Sequence, residues 1–175
     1  VDERVKAFKV WKATEAAQKP PKNRHVRVDG RGVVFDPDPK TTLGNNNLTD
    51  GSPASDFIGS YLERVLADIS FDGQFYSLKG PWVQLKDFES PKVAPTKTRD
   101  GNWMKSRGNA SFNDAMTYFH FDQNQRYMQS LGFRGDRGIQ YGSIEVDANG
   151  VNGSDNSHFV PGSNRIAFGH GGVDD

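Results

Sequence analysis

The spacing of polar and apolar positions changes several times along this chain, and each change marks an element. Near the start, Val5, Ala7, Phe8 and Val10 alternate weakly, as in an edge strand or extended arm. Lys19-Pro20-Pro21-Lys22 is next, a stiff linker, because each proline fixes φ and lacks a ladder donor. Val26-Arg27-Val28-Asp29-Gly30-Arg31-Gly32-Val33-Val34-Phe35 reads as a hairpin, two β-rich runs around a glycine-containing turn. Asp36-Pro37-Asp38-Pro39 ends it, since X-Pro pairs force extended or turn geometry. The polar stretch from Thr41 to Ser55, with Asn45, Asn46 and Asn47 in succession, predicts a surface loop.

Two patterns overlap between Asp56 and Phe71. Phe57, Ile58, Tyr61, Leu62, Val65 and Leu66 fit a helical stripe, whereas Val65, Ala67, Ile69 and Phe71 alternate and feed the Asp72-Gly73 turn. The reading is a short helical turn, then a strand paired through that turn with Phe75 to Lys79. Trp82 to Leu85 adds another strand to an antiparallel meander, and Pro91 to Asp100 is a second polar loop. The clearest element is a helix from Phe112 to Leu131. Ser111 and Asp114 have capping-box spacing, Gly132 suits the position past the end, and Phe112, Ala115, Met116, Phe119, Tyr127 and Leu131 form a core-facing stripe. Gly138 to Phe168 returns to strands around the Asp147-to-Gly153 turn, closing with strand, turn and strand over Asn156 to Phe168. The predicted class is α+β, a β-rich antiparallel meander packed on one long α-helix.

Composition narrows the function. The 175 residues allow one domain, or one domain with a long arm, and suffice for a buried core. With 22 basic and 22 acidic residues the net charge is zero, so a general nucleic-acid footprint is unsupported. The basic run Lys19, Lys22, Arg24, His25 and Arg27 reads as a solvated linker. The absence of cysteine excludes disulfides, thiolate catalysis and Cys-ligated zinc within the chain. No apolar run approaches the ~20 residues of a membrane span. Nineteen glycines, nine prolines and a mean hydropathy of -0.73 describe a loop-rich chain whose aromatic residues supply much of the core.

Candidate chemistry is sparse. His25, His120, His158 and His170 are scattered, and no two share a helix face at i,i+4, the spacing that aims two imidazoles at one zinc. Asp147 to Asp155 offers oxygen ligands, but Val151 occupies the third ligand slot of an EF-hand loop, so the segment reads as a solvated turn. His120 and Asp122 are two apart on the predicted helix and do not face each other, which rules them out as a triad pair. Gly169-His170-Gly171-Gly172 lacks a phosphate-cradle pattern.

Five segments, in order, resemble the N-terminal part of thermolysin-like and fungalysin-like zinc metallopeptidases. Gly30 to Thr42 is similar to the start of the mature protease, and Leu78-Lys79-Gly80-Pro81-Trp82-Val83 to the strand-turn-strand after it. Asn113 to Phe133 is similar to the first long helix, Asn156-Ser157-His158-Phe159 to the substrate-binding edge strand, and Phe168 to Asp175 to the loop before the zinc helix. The resemblance implies a chain read as the front of a secreted zinc endopeptidase, interrupted before H-E-x-x-H. Residues 1–24 would be an arm whose first part resembles a propeptide tail, and residues 25–175 an incomplete N-terminal subdomain.

For the site, the resemblance implies that the Asn156 side-chain amide bonds substrate main chain, that the Ser157 carbonyl sits beside the scissile bond, and that His158 and Phe159 shape the primed-side wall. Zinc ligands, catalytic glutamate and protonating histidine would all lie beyond Asp175, so this stretch alone is expected to be inactive. Relatives that bind calcium near the zinc helix carry an acidic residue where this chain has His170, so no calcium site carries over. The expected partners are a peptide or protein substrate and the C-terminal half bearing H-E-x-x-H, with neither nucleic acid nor membrane. The alternative is a non-catalytic module holding peptide or carbohydrate with edge strands and with Trp82 and Trp103.

Overall fold

The computed structural model describes residues 26–171 and Val173. The predicted N-terminal arm, its proline linker and the Asp174-Asp175 end lie outside the described residues. The fold is α+β, with two sheets and one long helix. The first sheet has the strand order β5-β3-β2-β1-β6, formed by β1 (Val26–Phe35), β2 (Tyr61–Phe71), β3 (Tyr76–Ser77), β5 (Lys97–Thr98) and β6 (Asn102–Trp103). The second is β4-β7-β9-β8, formed by β4 (Val83–Leu85), β7 (Ile144–Asp147), β8 (Ser157–Val160) and β9 (Arg165–Phe168). A short helix α1 (Pro39–Leu43) precedes the long helix α2 (Ala110–Ser130). Among the described residues no helix is long and apolar enough to cross a membrane.

The hairpin expected within Val26 to Phe35 is instead a single strand. β1 runs unbroken against β2 from Val26↔Phe71 to Phe35↔Tyr61, with one register shift between Val28 and Gly30. Asp68, opposite that shift, has φ +55 and donates its N–H to Asp29 Oδ1 at 3.0 Å, so the bulge lies in β2. The two glycines that suggested a turn serve close packing. A Cβ on Gly30 would stand 2.5 Å from Ile69 Cδ1 and 2.7 Å from the Gly101 carbonyl, and one on Gly32 would press on Leu66 and Ala115.

The short turn and strand expected from Asp56 onward are present as a 3-10 turn (Ala54–Phe57) followed by β2, and β3 folds back through Asp72. The meander then changes course. β4 keeps one antiparallel bridge to Lys79, but pairs in parallel with β7 in the second sheet. The bend falls at Gly80, where any side chain would collide with the Tyr118 hydroxyl. The predicted loop after Thr41 is partly structured: Asp38 caps α1 by accepting from Thr41 N at 2.9 Å, and Leu48 is buried.

Helix α2 begins differently from its sequence signature. Asn109, not Ser111, is the N-cap, accepting from Ser111 N at 2.9 Å. Asp114 is no capping partner: it is 2% exposed, and its Oδ2 accepts from Thr96 N at 2.7 Å and Thr96 Oγ1 at 2.6 Å. Thr96 Oγ1 in turn accepts from Trp103 Nε1 at 3.0 Å. Burial pushes the Asp114 carboxyl up to about 6 against the lowering effect of these bonds. Phe112, Ala115, Met116 and Phe119 face the core as expected. Further along, the buried positions are Tyr118, Asp122 and Gln125, and Tyr127 and Leu131 are 59% and 53% exposed. Phe35 anchors the core, with its ring 5.0 Å from both Tyr61 and Phe112.

Candidate functional site

The strand order of the second sheet leaves β8 at its edge. β8 and β9 pair from Ser157↔Phe168 to Val160↔Arg165. Just before them, Gly169 N donates to Asn156 O at 2.8 Å, which makes Asn156 and Gly169 a hydrogen-bonded pair. Antiparallel ladders alternate, so His158 and Val160 direct their main-chain groups to β9, and Ser157 and Phe159 direct theirs to the open edge. Ser157 N is already engaged by Asn156 Oδ1 at 2.8 Å. The Ser157 carbonyl and both main-chain groups of Phe159 remain for an incoming strand. Asn156 keeps its Nδ2 as a donor, because its oxygen takes the Ser157 N–H.

A cleft of about 510 Å³ lies between this hairpin and α2. Asn113, Thr117, His120 and Phe121 line it from the helix, with Asn156, Ser157, Phe168 and His170 from the other side. Phe121 and Phe168 meet edge-on at 5.9 Å as its aromatic wall. His120 Nε2 donates to the Phe35 carbonyl at 2.9 Å, so the neutral ring keeps Nδ1 as an acceptor. Asn113 Nδ2 donates to Asn149 Oδ1 at 2.9 Å, which ties the helix to the loop after β7. The cleft, which Asp155 also lines, can therefore take a group with both apolar surface and hydrogen-bonding atoms.

Strand alternation separates Ser157 and Phe159 from His158, and Asn156 precedes the strand. Asn156 and Ser157 both line the cleft. His158 projects from the opposite face, where its Nε2 lies 2.7 Å from Glu89 Oε1. Phe159 shares the face of Ser157 but lies outside the cleft lining and is 53% exposed. His120 and Asp122 are separated as the helical spacing requires: Asp122 turns away to meet Arg126 Nε at 2.6 Å.

Two expectations do not hold. Asp147 to Gly150 is not a solvated turn, because all four residues are buried. Asp147 accepts from Phe88 N and Glu89 N, both at 2.9 Å, and from Asn149 N at 3.1 Å. Trp103, assigned to a binding surface in the alternative reading, is fully buried in the core.

Among the described residues, no group of three or more His, Cys, Asp or Glu side chains could hold a metal ion. The described residues do not fit a zinc site. Glu89 escaped sequence reasoning, since nothing local marks one glutamate in a polar loop as the partner of a strand residue 69 positions on. The cleft face of α2 carried a better signal: Asn113, Thr117 and His120 form a polar stripe beside the apolar one. No protein family, no curated protein and no solved structure matches this chain.

Proposed function

We propose that this chain is the peptide-holding wall of a zinc metalloendopeptidase, with the zinc ligands supplied by residues outside it. The observation that carries the proposal is the open edge of β8, whose outward main-chain groups run beside the cleft. An extended peptide adds to this edge as a further strand, donating to the Ser157 carbonyl and pairing with Phe159. Asn156 Nδ2 donates to a peptide carbonyl next to that pair. In the whole enzyme the peptide so held is hydrolysed, and the present residues contribute position rather than bond-breaking chemistry.

The sharpest test is Phe159→Pro, which removes one outward N–H and leaves the bonds to β9 in place. A capped heptapeptide of alternating Thr and Val, titrated into the ¹⁵N-labelled chain, should perturb β8 amides. The proline variant should bind at least about tenfold more weakly, while Phe159→Ala keeps the main-chain contacts and loses less. Equal affinity for wild type and proline variant would overturn edge docking. Chelator-sensitive cleavage by the natural product supports the peptidase reading. Peptide binding without such cleavage leaves the non-catalytic peptide-binding module.

A further inference from the structure

We infer that Glu89 is a protonation-dependent latch on edge strand β8, gripping His158 with one carboxylate oxygen and the loop after β7 with the other. The latch regulates the docking edge proposed above and rests on that reading only for its effect on peptide binding. Glu89 is itself firmly placed, because Phe88 N and Glu89 N both donate to Asp147 Oδ2 at 2.9 Å and Asp147 is 1% exposed. From that base its Oε1 lies 2.7 Å from His158 Nε2, and its Oε2 accepts from Val151 N at 3.1 Å.

The second contact holds a strained segment. Val151 and Asn152 have φ of +52° and +53°, a region that β-branched residues avoid. The loop stays there through Glu89, through Asn152 N donating to Ser90 O at 2.5 Å, and through Ser154 N and Oγ bonding to Val151 O. One carboxylate thus joins three segments: the stretch after β4, the loop after β7, and β8.

Of the other charges around the pair, Lys92, Arg165 and Asp147 have partners of their own. Lys92 lies 3.4 Å from Asp87 on the same loop. Arg165, on the same face of the hairpin as His158, binds Glu145 of β7 at 2.7 Å. Asp147 is occupied by backbone N–H groups, and Asp155 precedes β8. Among the described residues His158 is the one ion-pair partner of Glu89. An imidazole changes charge within roughly pH 5 to 8, and a protonated ring adds a Coulombic attraction to the hydrogen bond that the Glu89 carboxylate already accepts from a neutral one. Protonated His158 therefore holds β8 down, and neutral His158 loosens it. Both side chains are part-exposed, so the effect is moderate and weakens with salt.

Hydrogen exchange of the inward His158 and Val160 amides, followed from pH 5 to 8 and corrected for intrinsic rates, reads the latch without a ligand. Protection should be about three- to tenfold higher at the acidic end, relative to β1–β2 amides as internal reference. Glu89→Gln should abolish that difference. His158→Gln, which leaves the Glu89–Val151 bond intact, should abolish it too. Unchanged relative protection in the wild type, or a difference that survives both variants, overturns the latch. The capped Thr/Val heptapeptide should bind the wild type more tightly at pH 5 than at pH 8. A protection switch with no peptide binding at either pH would sink the docking edge and leave the latch standing.

Discussion

One edge of the second sheet differs from both edges of the first. The first ends in β5 and β6, each two residues long, and β6 carries the fully buried Trp103. Short edges with a buried anchor give an incoming strand nothing to pair with. The second ends on one side in β4, three residues long and largely buried, and on the other in β8, four residues long, with three exposed side chains and main-chain groups directed outward beside a cleft. Both sheets contribute to the core, Val34 and Leu66 from the first and Val83 and Val146 from the second, and the proposed docking edge belongs to the second alone. Helix α2 serves both, packing Ala115 against Gly32 of β1 while Thr117, His120 and Phe121 line the cleft.

The largest effect should come from removing the anchor of the closed sheet. Trp103→Ala opens a cavity and strips Thr96 of its indole donor, and should cost about 4 kcal/mol in urea unfolding. Phe159→Ala, on the open edge, should stay within about 0.5 kcal/mol in the same assay. Equal losses would erase the contrast between the buried and the open edge.

A smaller effect concerns pH. The Asp114 carboxyl is raised from 3.8 to about 6 by burial, so between those values the folded chain binds the extra proton. Its contribution is full below the unfolded value and is lost as pH rises through about 6, a fall of about 3 kcal/mol by linkage. Asp114→Asn should flatten the stability profile between about pH 4 and 6, measured by urea midpoints. An unchanged slope would mean that the buried Thr96–Asp114 contact does not set it. Smallest of all, Leu131→Ser should shift stability by no more than about 0.5 kcal/mol, because that end of α2 is exposed.

How much of this was legible depends on the range of the interaction. The helix, its terminal Gly132 and its first apolar stripe come from local spacing, as do β2, its return through Asp72, and the β8–β9 hairpin. Gly30 and Gly32 misled because glycine marks both a turn and a close approach, and only Ile69, Gly101, Leu66 and Ala115 tell which. Ser111 and Asp114 had capping spacing, but a partner 18 residues away claimed the carboxylate. Of the site, the strand character of Ser157 was readable locally, the place of Asn156 and Ser157 beside a cleft was only what the resemblance implied, and Glu89 was invisible without its contacts.

By itself the sequence determined the α+β class, the long helix, the lack of any cysteine chemistry and the absence of a paired-histidine zinc motif from these residues. Those properties depend on composition and on contacts within a few positions. Only the tertiary structure decided that β4 leaves the meander, that Trp103 is core, and that β8 is an edge with outward main-chain groups. It also decided that Ser157 and His158, adjacent in the chain, serve opposite faces with different partners. Strand order and the occupant of each face depend on segments tens of residues apart, and no local pattern encodes which of them meet.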